Sequence, residues 1–297
     1  SLRTQLHQPI YEAWVRHAGD PDVHVPKWLI GGTPMGIDKI AESAGIFPAV
    51  HQQTPEKDRR EMLEPGEQFI NYVSIEDSEH GHEVLNEHVL KGFVNRYSTL
   101  NEAKAALSGA SPILSKLALI TTVKEGVLKH RLILDCRVSG VNDHALKVER
   151  IILPSAWDVI HDTLILRARM KPGQELRYMV LDYRDAFLML PVWPSECRYC
   201  ASLYKGHYYI WDRVVQGSVN GPNVYGRLAA LTSRMGQGLS DTTEQRNQTY
   251  VYDPCSVVLG SSQRCDRLCA RLAMLRLALG WDLSYHKGQM ASDVYWI

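Results

Sequence analysis

The sequence predicts an α+β fold built on an antiparallel sheet, and three observations predict it. From about residue 117 onward, short runs rich in β-branched and aromatic residues alternate with two long amphipathic segments. Their order is strand, helix, hairpin, helix, strand, which is the order of a ferredoxin-like sheet with the helices from Pro222 and Gln263 on one face. Upstream, Asp20-Pro21, Thr33-Pro34, Phe47-Pro48, Thr54-Pro55 and Glu64-Pro65-Gly66 cut the chain into short pieces. Residues 1–110 are therefore expected to be an acidic, helical and irregular extension wrapped on a body formed by residues 111–297.

Each element has its own signal. Ser78 to Tyr97 and Leu100 to Leu107 read as short helices. Leu117–Val123 and Arg131–Leu134, joined by a turn at Glu125-Gly126, alternate like antiparallel strands. Pro154 to Leu166 reads as a helix begun near Ser155, and Tyr178–Asp182 as a short buried strand followed by a turn at Asp185. Arg198–Leu203 pairs with His207–Val215 across Tyr204-Lys205-Gly206. Pro222 opens a helix whose Val224, Leu228, Leu231 and Met235 share one face. Ser262 suits the cap of another, with Leu268, Leu272, Leu275 and Leu279 as its stripe and Gly280 as its end. Between these helices, Thr249 to Leu259 forms a hairpin whose turn is expected at Tyr252-Asp253-Pro254-Cys255.

Charge is balanced overall but unevenly spread. Residues 1–100 hold 9 Lys/Arg against 15 Asp/Glu, and residues 101–297 hold 24 against 18, which fits an acidic accessory segment ahead of a phosphate-binding body. Six cysteines with no secretory leader fit a reduced, intracellular chain, and no apolar run approaches the ~18 residues of a membrane span. Cys197-x-x-Cys200 and Cys265-x-x-x-Cys269 read as buried thiols rather than a zinc site. His80-Gly81-His82 with Glu83, Glu87 and His88 reads as a solvated helix face.

The residues that carry chemistry are the run Leu181-Asp182-Tyr183-Arg184-Asp185-Ala186-Phe187 and the later Tyr250-Val251-Tyr252-Asp253. With Lys129 to Arg137 and Asn142 before them, Gln216-Gly217 and Asn220-Gly221-Pro222 between them, and Gly280-Trp281 to Lys287 and Val294 to Ile297 after them, six motifs stand in order over residues 117–297. This series resembles the reverse transcriptases of retroviruses and LTR retrotransposons. The resemblance implies a right-hand polymerase with fingers and palm, and with no thumb before the chain stops at Ile297.

It also implies RNA- or DNA-templated addition of deoxynucleoside triphosphates to a primer 3′-hydroxyl using two Mg²⁺ or Mn²⁺ ions. Asp182 and Asp253 are the implied metal ligands, because two cations ~4 Å apart need several carboxylates between them. Lys124 and Arg131 would fold over the triphosphate. Asp185 and Ala186 would lie under the nucleotide, and Phe187 would exclude a ribose 2′-hydroxyl. Gln216 and Gly217 would touch nucleotide and template, with Gly217 allowing close backbone approach. Lys287 matches the general acid for pyrophosphate departure.

One position departs from the pattern: Tyr252 stands where the family's principal metal-binding aspartate would be, leaving only Asp253. A one-residue slip cannot easily repair this, since side chains alternate faces along a strand. The expectation is a degenerate site with weak or absent polymerase activity. The alternative is a silent remnant of a retroelement polyprotein that binds nucleic acid through its basic half. An RNA-dependent RNA polymerase is disfavoured by Phe187 and by the lack of a Gly-Asp-Asp hairpin.

Overall fold

The computed structural model describes residues 4–50, 69–124 and 126–296, so the breaks at Thr54-Pro55 and Glu64-Pro65-Gly66 and the turn residue Glu125 lie outside the described residues. The first helices are α1 (Gln8–Ala18) and α2 (Val25–Gly31), each with proline in its first turn, where a missing N–H costs nothing. They are followed by α3 (Val73–Glu76), α4 (Glu79–Leu90), β1 (Val94–Tyr97) and α5 (Leu100–Ala106). Ser78 and Thr99 cap α4 and α5 by accepting main-chain N–H groups. Val94–Tyr97, expected in a helix, is instead a strand: Gly92 turns the chain at φ 71° and β1 gains a full ladder of partners along the strand Val94↔Trp211 to Tyr97↔Tyr208.

The hairpin of β2 (Lys116–Lys124) and β3 (Val127–Asp135) comes next, then α6 (Val141–His144) and α7 (Ala156–Arg167). Asp158 closes the start of α7 by accepting the Ser155 N–H at 2.6 Å. After β4 (Glu175–Val180), a 3₁₀ turn over Pro194–Tyr199, opened by Pro194 in its first turn, takes in Arg198 and Tyr199 at the start of the expected strand. The pairing segment is β5 (Ala201–Tyr204), antiparallel to β6 (His207–Trp211). The chain ends with α8 (Gly221–Gln237), β7 (Gln245–Tyr250), β8 (Asp253–Gly260), α9 (Ser262–Ala278) and β9 (Gln289–Ala291). The cap of α9 is Ser261, one residue before the expected Ser262, because Ser261 has the extended backbone and accepts the Arg264 N–H.

The sheet that carries the site has the order β7-β8-β4-β9, all antiparallel. Alternation sorts its two faces. Met179 and Val258 meet Cys265, Leu268, Cys269 and Leu272 of α9. Val257 and Leu259, with Leu176 and Tyr178, meet Leu166 and Val159 of α7. Helices on one face only was the expectation, and α7 corrects it: the residues between the α9-facing ones are apolar too, so both faces need cover. α8 lies beside α9, close enough that a Cβ at Gly236 would stand 3.3 Å from Leu272. All six cysteines are buried and unpaired, and burial pushes the Cys197 thiol up to about 12.

The N-terminal residues are bound to this body by buried polar contacts. Trp281 Nε1 donates to Tyr11 Oη at 2.9 Å, and Arg227 grips Asp22 through two bonds of 2.8 and 2.6 Å. The Glu196 carboxylate accepts four main-chain N–H groups from Met35, Ile37, Asp38 and Lys39. A second sheet, β1-β6-β5, takes strands from both sides of residue 110. No helix among the described residues is long and apolar enough to cross a membrane.

Candidate functional site

Asp182 stands just past the end of β4, where the ladder to β8 continues. Leu181 N–H donates to Pro254 O at 3.0 Å and Tyr183 N–H to Tyr252 O at 3.1 Å. Asp182 is thereby opposite Asp253 in a non-hydrogen-bonded pair, a type with Cα atoms about 4.5 Å apart. The hairpin turn lies two residues earlier than expected: Thr249 pairs with Pro254 and Tyr250 with Asp253, so Val251-Tyr252 is the two-residue loop and Asp253 begins β8. Val251 takes φ 51°, which for a β-branched residue costs about 1–3 kcal/mol.

One cavity of about 350 Å³ gathers most of the residues singled out in the sequence. Arg131, Asp182, Asp185, Ala186, Phe187, Gln216 and Lys287 line it, and so does Tyr252. Asp253 and Gly217 are not among its lining residues. Lys124 closes β2, and its side chain lies outside the described residues.

Two ion pairs dominate the cavity. Lys287, on the 3₁₀ turn Tyr285–Lys287, places Nζ 2.8 and 2.7 Å from the two oxygens of Asp182. Ser284 N–H holds that turn to the Asp182 carbonyl at 2.9 Å. The Asp182 side chain is 10% exposed and that of Lys287 39%. On the other side, Lys91 Nζ lies 2.7 Å from Asp185 Oδ2 and 2.8 Å from Glu87 Oε1. Burial works to lower the Lys91 pKa, but the bonds to Asp185 and Glu87 outweigh it and hold the ammonium above its ordinary value. His88, also on the lining, is shifted the other way: burial disfavours its charged form, and its Nδ1 has no partner among the described residues.

Glu87, His88 and Lys91 are the site residues that sequence reasoning missed. Their helix read as a solvated face, and that holds for His80, which bonds Glu83 at 3.0 Å at the surface, but not for the end of the helix. The only available signal was a charged helix terminus stopped by Gly92.

Phe187 stacks on the fully buried Tyr225, ring centroids 4.8 Å apart. Asp185, at φ 51°, makes the sharp turn that starts the short helix Ala186–Met189. The Gln216 carbonyl accepts the Leu134 N–H at 3.0 Å, and its side-chain Oε1 is buried without a partner among the described residues. Gly217 shapes this wall indirectly. Its φ is +115°, and a Cβ there would stand 1.9 Å from the Leu134 carbonyl. Gly217→Ala is expected to lower stability by on the order of 2–3 kcal/mol, since it combines strain with a clash against backbone. A thermal melt within about 1 °C of wild type would show that the β3 wall yields freely.

The donor set does not fit a two-ion centre. Both oxygens of Asp182 are taken by an ammonium, a phenol lines the cavity, and Asp253, though opposite Asp182 on the paired strand, is not among the lining residues. Among the described residues no group of three or more His, Cys, Asp or Glu side chains is placed to hold a metal ion.

No protein-family model matches the sequence, and no curated protein sequence does. Solved structures do match. The foamy viral protease-reverse transcriptase in complex with double-stranded DNA superposes with a TM-score of 0.53 at 15% identity over 76% of this chain and 33% of that one. The chain has a reverse-transcriptase-like fold. A second structure of the foamy viral protein with double-stranded DNA gives 0.51 at 16% identity over 77% of this chain and 40% of the other. A selenomethionine-labelled mutant of the prototype foamy virus protease-reverse transcriptase gives 0.51 at 15% identity over 95% of this chain and 30% of that one. The chain thus spans well under half the length of these neighbours, and identities this low speak for fold alone.

Proposed function

We propose that this chain is the fingers-and-palm part of a retroelement reverse transcriptase, folded around a nucleotide pocket but weak or silent as an RNA-directed DNA polymerase. The observation that carries the proposal is the surroundings of Asp182, where Tyr252 lines the cavity and Lys287 occupies both carboxylate oxygens. In the enzymes it resembles, two divalent ions activate the primer hydroxyl and neutralise the departing pyrophosphate. Losing a bridging carboxylate from such a centre costs on the order of 10³-fold or more in rate.

The other wall supports the nucleotide reading. Phe187 presents a ring braced by Tyr225, suited to reject a ribose 2′-hydroxyl, and Arg131 approaches from the β3 strand. Gln216 and the positive-φ Gly217 shape the floor on which a base pair would rest. Template-primer RNA or DNA and deoxynucleoside triphosphates are the proposed partners, along with other segments of a retroelement polyprotein. The proposed division keeps residues 111–297 as the polymerase body and residues 1–110 as its N-terminal segment.

Primer extension on a primed RNA or DNA template, with Mg²⁺ or Mn²⁺, is expected to give incorporation at or near background. Robust synthesis abolished by Asp182→Asn would overturn the proposal. Template binding without any extension, weakening steeply with salt, would instead favour the silent nucleic-acid-binding reading.

A further inference from the structure

We infer that Lys287 stands in for a divalent cation at Asp182, so that the cavity takes the phosphates of a deoxynucleoside triphosphate without metal. The inference rests on reading this cavity as a nucleotide pocket. Its basis is the bonding of one ammonium. Lysine has three N–H donors, and two of them go to the two oxygens of Asp182 at 2.8 and 2.7 Å. Among the described residues no acceptor takes the third, and the Lys287 side chain remains 39% exposed at the cavity wall.

A divalent ion at this point would have to displace two charge-assisted hydrogen bonds from a nearly buried carboxylate. From the cavity side it would meet that one carboxylate, because Asp253, opposite Asp182 on the paired strand, is not among the lining residues whereas Tyr252 is. Mg²⁺ gives up its water reluctantly and is held through several oxygen ligands, so a single occupied carboxylate is a poor exchange. An ammonium needs no bridging anion and is already in place.

The remaining charges suit an anion. The lining carries Lys91, Arg131, Arg184 and Lys287 against Glu87, Asp182 and Asp185. Lys91 is bound by Asp185 and Glu87, and Arg184 faces Asp282 at 3.3 Å. Arg131 has no carboxylate partner among the described residues, which leaves its guanidinium and the third N–H of Lys287 as donors across one cavity. A phosphate oxygen bridging those two groups would complete both.

Calorimetric titration of the full chain with dTTP, once in EDTA and once in Mg²⁺, tests this directly. The expected result is a Kd that agrees within about twofold between the two buffers. In EDTA, Lys287→Met should weaken binding about tenfold, the loss of one charge-assisted hydrogen bond, while Lys287→Arg should retain most of it. Melting curves of both variants separate lost binding from lost folding. Binding at least tenfold tighter in Mg²⁺ would overturn the inference by showing that Asp182 still recruits the ion. No binding in either buffer would overturn it too, whereas weak polymerase activity is judged separately by primer extension.

Discussion

Asp22→Ala is expected to cost about 3–5 kcal/mol of folding stability, the usual penalty for stranding one member of a buried ion pair. The Asp22 side chain is fully buried and that of Arg227 is 2% exposed. Two parallel bonds join them, Arg227 Nε to Asp22 Oδ2 at 2.8 Å and Nη2 to Oδ1 at 2.6 Å. The guanidinium also donates to the Glu42 carbonyl at 2.5 Å and lies 4.4 Å from the Trp28 ring centroid. Without the carboxylate this cation keeps only one backbone acceptor, the ring face and Glu149 at 3.9 Å. Urea denaturation should register a loss that is a large fraction of an ordinary domain's roughly 5–15 kcal/mol.

The neighbouring pair supplies an internal control. Arg234 grips Asp20 in the same two-bond manner but is 32% exposed, so water can take over part of its solvation. Asp20→Ala should therefore cost clearly less than Asp22→Ala. Replacing both partners at the buried site, as Asp22→Ala with Arg227→Met, should recover part of the loss, because apolar substitution of a buried pair is often near neutral. A cost under about 1 kcal/mol for Asp22→Ala alone would mean that water reaches the guanidinium and that the first helices are not locked to α8 by this contact.

How far the sequence could be read follows the same division between local and distant causes. α7, α8 and the two central strands announced themselves through caps, a first-turn proline and periodicity, all written within a few residues. Asp182 was legible because its strand is short and apolar up to the carboxylate. The hairpin turn differs from the expectation because its position depends on register, and Tyr250↔Asp253 pairing moves it two residues toward the N-terminus without changing which faces the alternating side chains take. The second cover on the sheet, from α7, was missed because apolar residues on both faces of β8 can equally mean a single thick core. Lys91 with Asp185 and Lys287 with Asp182 join positions 94 and 105 residues apart, and no local pattern encodes such pairs.

Tyr252→Asp is expected to raise the chain's affinity for divalent ions by an order of magnitude or more, and any primer-extension signal with it. The substitution adds a carboxylate to the one cavity that already holds Asp182. With Lys287 still in place, a single ammonium then faces two carboxylates, and the uncompensated negative charge favours a divalent ion as competitor. Adding Lys287→Met should increase the gain, because the ion no longer has to displace the ammonium. Thermal melts with and without Mg²⁺ or Mn²⁺ distinguish the outcomes. An ion present at about a hundred times its Kd stabilises the folded variant by ~2.7 kcal/mol, which should appear as a metal-dependent rise in melting temperature that wild type lacks. If the rest of the pocket has drifted, the two carboxylates will repel without capturing an ion. The variant would then melt lower than wild type, Mg²⁺ would not restore it, and Tyr252 could not be the lesion that silences this site.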